Sequence, residues 1–173
     1  GDVGCGTSYA APQVTGMIAT LAQRDSFLGT WPEVTKAIII ATALHNIEGA
    51  SGRSEIDGAG AIDMAAADYN AANYWNYGSG ISGNSFTDQK LQVATIKLYA
   101  GERFRAALAY DSNPSGDYTS DPLEGDLDLY LFDSSDTLVA SSSGVDSWEI
   151  IEWTVATTGD YKLVVWNFAN SLA

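Results

Sequence analysis

Two patterns of hydrophobic spacing divide the chain. Between Ala10 and Ala22, Val14, Met17, Ile18 and Leu21 recur at i, i+3, i+4 and i+7, which is one apolar face of a helix. Ala11, Gly16 and Ala19 make the other side small, as suits a helix packed closely on several sides. The run V-T-K-A-I-I-I-A-T-A-L (34–44) is almost wholly apolar and predicts a second helix buried on most sides. It opens at T-W-P-E (30–33), where Thr30 is placed to cap, Glu33 to stand at N3, and Pro32 is tolerated in the first turn. The stretch G-A-G-A-I-D-M-A-A-A-D (58–68) predicts a short third helix.

Beyond residue 90 the period falls to two. In 103–110, Phe104, Ala106, Leu108 and Tyr110 share one face and Arg103 and Arg105 the other; in 126–132, Leu127, Leu129 and Leu131 alternate with Asp126, Asp128 and Tyr130. Further strands are predicted at 91–98, 137–142, 148–155 and 160–168, with Gly, Ser and Asp between them, a pattern of antiparallel sandwiches and jelly rolls. Between the two regimes lies N-Y-G-S-G-I-S-G-N-S (76–85), whose residues favour loops. The expected organisation is therefore a helical domain over 1–75, a linker over 76–90 and a β-sandwich over 91–173.

Charge sharpens this division. The 173 residues carry 22 acids against 8 bases, net −14, with −5 in residues 1–75 and −9 in 76–173. Such an excess repels phosphate backbones and anionic bilayers, so neither nucleic acid nor a membrane surface is an expected partner. Apolar residues at 46% against 17% charged mark a globular rather than a disordered acidic chain. One cysteine allows no internal disulfide. The chain starts at Gly1 without a signal peptide, and a piece of a longer protein is expected.

Candidate chemistry concentrates in G-C-G-T-S-Y-A-A-P-Q-V-T-G (4–16). A serine hydroxyl is a weak nucleophile that needs an adjacent base. Ser8 at a helix N-terminus would stand beside unpaired backbone N–H groups and the positive end of the helix dipole. An ordinary N-cap serine is the plainer alternative. Cys5 reads as a small buried residue, with no Cys-x-x-Cys partner. His45, the sole histidine, follows the second helix, where it is expected to be solvated and to interact with the helix C-terminal dipole.

The spacing Gly6-Thr7-Ser8-x-Ala10-x-Pro12-x-Val14-x-Gly16 resembles the serine-nucleophile motif of subtilisin-like proteases. The helix ending I-I-I-A-T-A-L and the segment G-A-G-A-I-D-M-A-A-A (58–67) are similar to the family's next helix and to the segment that closes its catalytic domain. The resemblance covers roughly residues 1–75. It implies Ser8 as catalytic nucleophile, with its own backbone N–H in the oxyanion hole. A triad in the order Asp, His, Ser would place the Asp and His, and the family's oxyanion-hole Asn, upstream of Gly1. The upstream remainder of the domain is then a partner, the isolated chain is expected to be inactive, and protein or peptide is the implied substrate.

Eight acids and no base lie between Asp111 and Asp136. They read either as a solvated acidic surface or as ligands for Ca2+, which takes six to eight oxygens. L-A-Y-D (108–111), G-D-L-D-L-Y-L-F-D (125–133) and T-G-D-Y-K-L-V-V (158–165) resemble the β-sandwich domains that follow bacterial subtilisin-like proteases, of the pre-peptidase C-terminal or alkaline-subtilase jelly-roll type. That resemblance implies stabilisation of the protease or contact with substrate, in some members with bound structural calcium; the acidic pattern itself offers Asp111, Asp126 and Asp128 as candidate ligands, the last two on one face of a strand. At N-F-A-N-S-L-A (167–173) a further strand is expected to be missing, leaving an open sheet edge.

The leading reading is an α/β fragment, the helical C-terminal piece of a subtilisin-like domain, followed by an antiparallel β-sandwich or jelly roll. Its function would be that of part of a secreted, extracellular serine endopeptidase. The alternative is a non-catalytic sandwich that binds protein or polysaccharide, with Trp148, Trp153 and Trp166 as contact points, or one that holds calcium for stability.

Overall fold

The computed structural model describes residues 6–45, 52–54, 57–77, 83–111 and 125–168. Cys5, Asp117, Asp121, Glu124 and the terminal 169–173 lie outside the described residues, and with them the reading of Cys5 and of a missing last strand. The chain divides into two units between Trp75 and Asn76.

In the first unit, helix α1 spans Thr7–Arg24, three residues earlier than its apolar pattern begins. It is entered through Gly6, whose φ of 140° is one that a side chain would strain. Of the predicted apolar face, Met17 and Leu21 are buried, whereas Ile18 is exposed. The small side of α1 is exposed as well, including Ala10, Ala11, Gly16 and Ala19. The close packing on several sides that its composition suggests is therefore absent among the described residues.

The predicted cap at Thr30 is not made. Asp25 accepts a hydrogen bond from the Phe27 N–H and starts a short helix α2, Ser26–Thr30, whose last hydroxyl donates to the Ser26 carbonyl. Helix α3 then runs Pro32–Thr42 with Trp31 as N-cap and no side-chain cap, and Pro32 occupies the first turn as expected. Val34, Thr35, Ile38 and Thr42 are its buried positions. Thr35 and Thr42 are tolerated there because their hydroxyls donate to the carbonyls of Leu28 and Ile38.

The third predicted helix begins later than its composition suggests. Gly58 and Gly60 adopt φ values of 57° and 111°, which make residues 57–61 a turn rather than a helix. Asp63 caps the helix through the Ala66 N–H, and α4 spans Met64–Asn73. Met17, Leu21, Leu28, Val34, Ile38, Ala67 and Ala71 close the core of this unit. Phe27 stacks between Trp31 and Trp75 at its side, at centroid distances of 5.8 and 5.2 Å.

The second unit follows the period-two pattern closely. After a 3-10 turn at Gly83–Ser85 come β1 Lys90–Leu98, β2 Arg103–Ala109, β3 Leu127–Phe132, β4 Leu138–Ser142, β5 Trp148–Thr154 and β6 Gly159–Asn167. All pairings are antiparallel: one sheet has the order β1-β6-β3-β4 and the other pairs β2 with β5. Leu129, Leu131 and Val165 of the first sheet share one apolar cluster with Ile151, Phe104 and Leu108 of the second. The predicted outward face of β2 also holds, since Arg105 lies 2.8 Å from Glu152 on the neighbouring strand. Trp153 packs against the core and meets Tyr161 edge-on. No described helix is long and apolar enough to cross a membrane.

Candidate functional site

Ser8 is the second residue of α1, fully in the first turn, and its side chain is exposed. The first four N–H groups of an α-helix have no acceptor one turn back, so the amide of Ser8 points out of the helix end. Tyr9 N–H closes a tight turn onto the Gly6 carbonyl at 3.0 Å, which fixes how the chain enters the helix. A Cβ built on Gly6 would meet nothing within 4 Å, so its glycine requirement comes from backbone conformation alone. Pro12 sits inside the helix, where it removes the N–H that would otherwise bond the Ser8 carbonyl. The local sequence thus places a hydroxyl and a free amide together at a helix mouth.

A base for that hydroxyl does not come from the described residues: no hydrogen bond joins Ser8 to a histidine or carboxylate. His45 does not serve. Instead of standing in solvent beyond α3, its side chain is fully buried, and Nδ1 pairs with Asp57 Oδ2. The solvated reading is overturned because the chain after α3 turns back. Leu44 and Ala61 exchange two 2.8 Å backbone hydrogen bonds, an isolated antiparallel bridge that brings Asp57 under the imidazole. The pair fastens the end of α3 to the turn before α4, which is a structural task. Nothing local in the sequence marks a partner twelve residues away.

Of the acidic stretch, Asp111, Asp126, Asp128, Asp133 and Asp136 lie among the described residues. Asp111 is exposed, whereas Asp128 is only 3% exposed, so a fully solvated acidic surface does not describe it. Asp128 accepts from the Tyr130 hydroxyl at 3.2 Å, and Glu149, equally buried, bonds Ser142 Oγ. Burial pushes the Asp128 carboxyl above its ordinary range; the charge of Asp126 adds to this, while bonds from Tyr130 and the Gly144 amide oppose it. Burial also raises the Tyr110 phenol, reinforced by Asp126, Glu149 and Asp128, although its bond with the Leu127 amide works against the shift. Among the described residues no three His, Cys, Asp or Glu side chains come together as metal ligands. The described geometry therefore lends no support to Asp111, Asp126 and Asp128 as a calcium-binding set.

A raised carboxyl pKa means that the folded state holds this proton more tightly than the unfolded chain. Its contribution favours folding below the ordinary carboxylate pKa and is lost as pH rises through the elevated value. Asp128→Asn is therefore expected to raise the melting temperature of the strand unit at pH 7, a gain that fades as pH falls toward the ordinary carboxylate range. Thermal melts of both proteins across pH, with chelator present, check this.

Comparison with known proteins adds one finding to this geometry. Residues 3–60 match the sequence model of the Subtilase family, a stretch that holds Ser8, all of α1 to α3 and the turn through Gly60. The match supports a serine-protease family origin for that part of the chain. No curated protein matches the chain.

Proposed function

We propose that residues 1–75 are the nucleophile-bearing end of the catalytic domain of a secreted, extracellular subtilisin-like serine endopeptidase. Residues 76–173 would form an attached antiparallel β-sandwich of jelly-roll type. One observation carries the reading: in the stretch that matches the Subtilase family, Ser8 stands exposed in the first turn of an 18-residue helix entered through a positive-φ glycine.

The chemistry follows from that position. Ser8 Oγ attacks the carbonyl carbon of a scissile peptide bond and passes its proton to a histidine. The Ser8 amide, aimed out of the helix end, donates to the oxyanion of the tetrahedral intermediate. Collapse of that intermediate expels the amine, protonated by the same histidine, and leaves an acyl group on Ser8 for water to hydrolyse. With His45 sequestered by Asp57, the histidine, its aspartate and a second oxyanion donor come from residues preceding Gly1. The exposed small side of α1 gives such a segment a surface on which to pack.

The expected result is no hydrolysis of a peptide ester by the 173-residue chain alone, and hydrolysis once the preceding residues are supplied. Ser8-dependent turnover by the chain alone would refute the assignment of the base to residues outside it.

A second reading treats residues 76–173 as a binding module. It is favoured by the aromatic side chains on the sheet face turned away from the core.

A further inference from the structure

Strand register builds an unusual face on the four-stranded sheet. Leu129, Leu131, Leu163 and Val165 point into the core. Their alternates Tyr130, Phe132, Lys162 and Trp166 take the opposite face, where alternation would normally place small polar side chains. Pairing sets Trp166 between Lys90 and Asp128, and Phe132 beside Lys162. The Tyr130 ring lies 5.2 Å from Trp166 and 6.3 Å from Phe132. Lys90 Nζ stands 4.6 Å from the Trp166 centroid and 5.4 Å from that of Phe132. In this acid-rich unit the ammonium of Lys90 has no ion-pair partner among the described residues; two aromatic faces hold it instead.

Beside this platform is an open cleft of about 460 Å³. Phe132 and Val164 supply apolar lining, and Lys90, Gln92, Lys162 and Asp136 supply polar groups. Asp136 Oδ1 holds Lys162 Nζ at 2.6 Å.

Two tight turns border the same place. The non-glycine residues with positive φ among those described are Asp88, Gln89 and Asp136, at 48°, 65° and 61°. Asp88 and Gln89 form the turn between the lining residues Thr87 and Lys90, and Asp136 lines the cleft from the β3–β4 turn. Gln89 is held there by accepting from Trp166 Nε1 at 3.1 Å through its side chain, and from the Asn167 amide at 2.8 Å through its carbonyl. Positive φ at both central residues is what a two-residue hairpin turn between Thr87 and Lys90 requires, so these turns fix the rim of the cleft.

We propose that this cleft binds neutral pyranose units of a polysaccharide. The aromatic and apolar lining offers a surface for the C–H face of a sugar ring, while the lysines, Gln92 and Asp136 offer donors and acceptors for its hydroxyls. Charge selects the neutral class. Two ammonium groups and one carboxylate leave the lining nearly balanced, and the unit's net −9 opposes the polyanion that the residual positive charge would favour. The inference deepens the binding-module reading of residues 76–173 and does not depend on the peptidase reading.

The test is depletion of the full 173-residue chain by microcrystalline cellulose and by chitin, with insoluble collagen as the protein arm. Retention on at least one polysaccharide is expected, weakened about tenfold or more by Lys90→Ala and by Phe132→Ala. Because Phe132→Ala could disturb the sheet, circular dichroism melts accompany both variants, and the exposed Lys90 carries the test if Phe132→Ala unfolds. Retention on collagen alone would overturn the proposal. Retention on polysaccharide that Lys90→Ala leaves unchanged would remove the cleft and keep the module. No retention on any matrix would remove both.

Discussion

In a longer protein that supplies the proposed histidine and aspartate ahead of Gly1, Ser8→Ala is expected to lower peptide hydrolysis by about 10⁴- to 10⁶-fold while leaving the fold intact. That range is typical for removing the nucleophile of a serine triad, because histidine and aspartate accomplish little without a hydroxyl to activate. Folding should be indifferent because Ser8 is exposed in the first turn and α1 is anchored through Met17 and Leu21. Ser8 is the second helical residue, not the N-cap; that position belongs to Gly6, so the substitution removes no cap. Single-turnover rates with a peptide ester, measured beside the helical circular dichroism signal, separate chemistry from folding. A variant retaining more than a tenth of the parent rate would exclude Ser8 as the nucleophile.

Gly60→Ala is expected to destabilise the helical unit by about 3–5 kcal/mol. A Cβ there would lie 2.5 Å from the Leu44 carbonyl oxygen and 2.8 Å from its carbon, at a φ of 111° that side chains rarely adopt. Backbone strain of this kind costs about 1–3 kcal/mol. Relief by moving the turn would break the paired Leu44–Ala61 hydrogen bonds, each contributing about 1 kcal/mol, and would draw Asp57 away from His45. Gly16→Ala is the contrasting control: its Cβ would meet nothing within 4 Å, and glycine in a helix interior is about 1 kcal/mol worse than alanine. Urea titrations followed at 222 nm report this unit, since the four described α-helices lie in it. Equal midpoints for the parent and Gly60→Ala would show that the bridge contributes nothing to stability.

How much of this was legible in the sequence differs between the units. The six described strands follow from alternation because one face of each meets the core, and a one-residue slip of β3 would turn Asp126 and Asp128 toward the apolar cluster in place of Leu127, Leu129 and Leu131. Helix ends were harder, because caps compete. Asp25 captured Phe27 and drew Thr30 into a separate short helix, and two positive-φ glycines delayed α4 to Asp63. Ser8 was legible because its motif is local. The burial of His45 was not, since it depends on a chain reversal that brings Asp57 beneath it. The platform of Tyr130, Phe132 and Trp166 left a signal that composition obscured: aromatic residues in positions alternating with the core leucines and valines. Asp128 is buried on that same outward side, beneath the Tyr130 hydroxyl and the Gly144 amide, which no period reveals.

The central claim, that Ser8 is a protease nucleophile whose base is supplied from outside these residues, is tested most directly by a fluorophosphonate probe. Adduct formation is mapped by mass spectrometry on two proteins, the 173-residue chain and the same chain preceded by its natural upstream sequence. A single adduct on Ser8 is expected in the longer protein and none in the chain alone. Labelling of Ser8 in the chain alone, or an unmodified Ser8 in a longer protein that cleaves peptides, would contradict it.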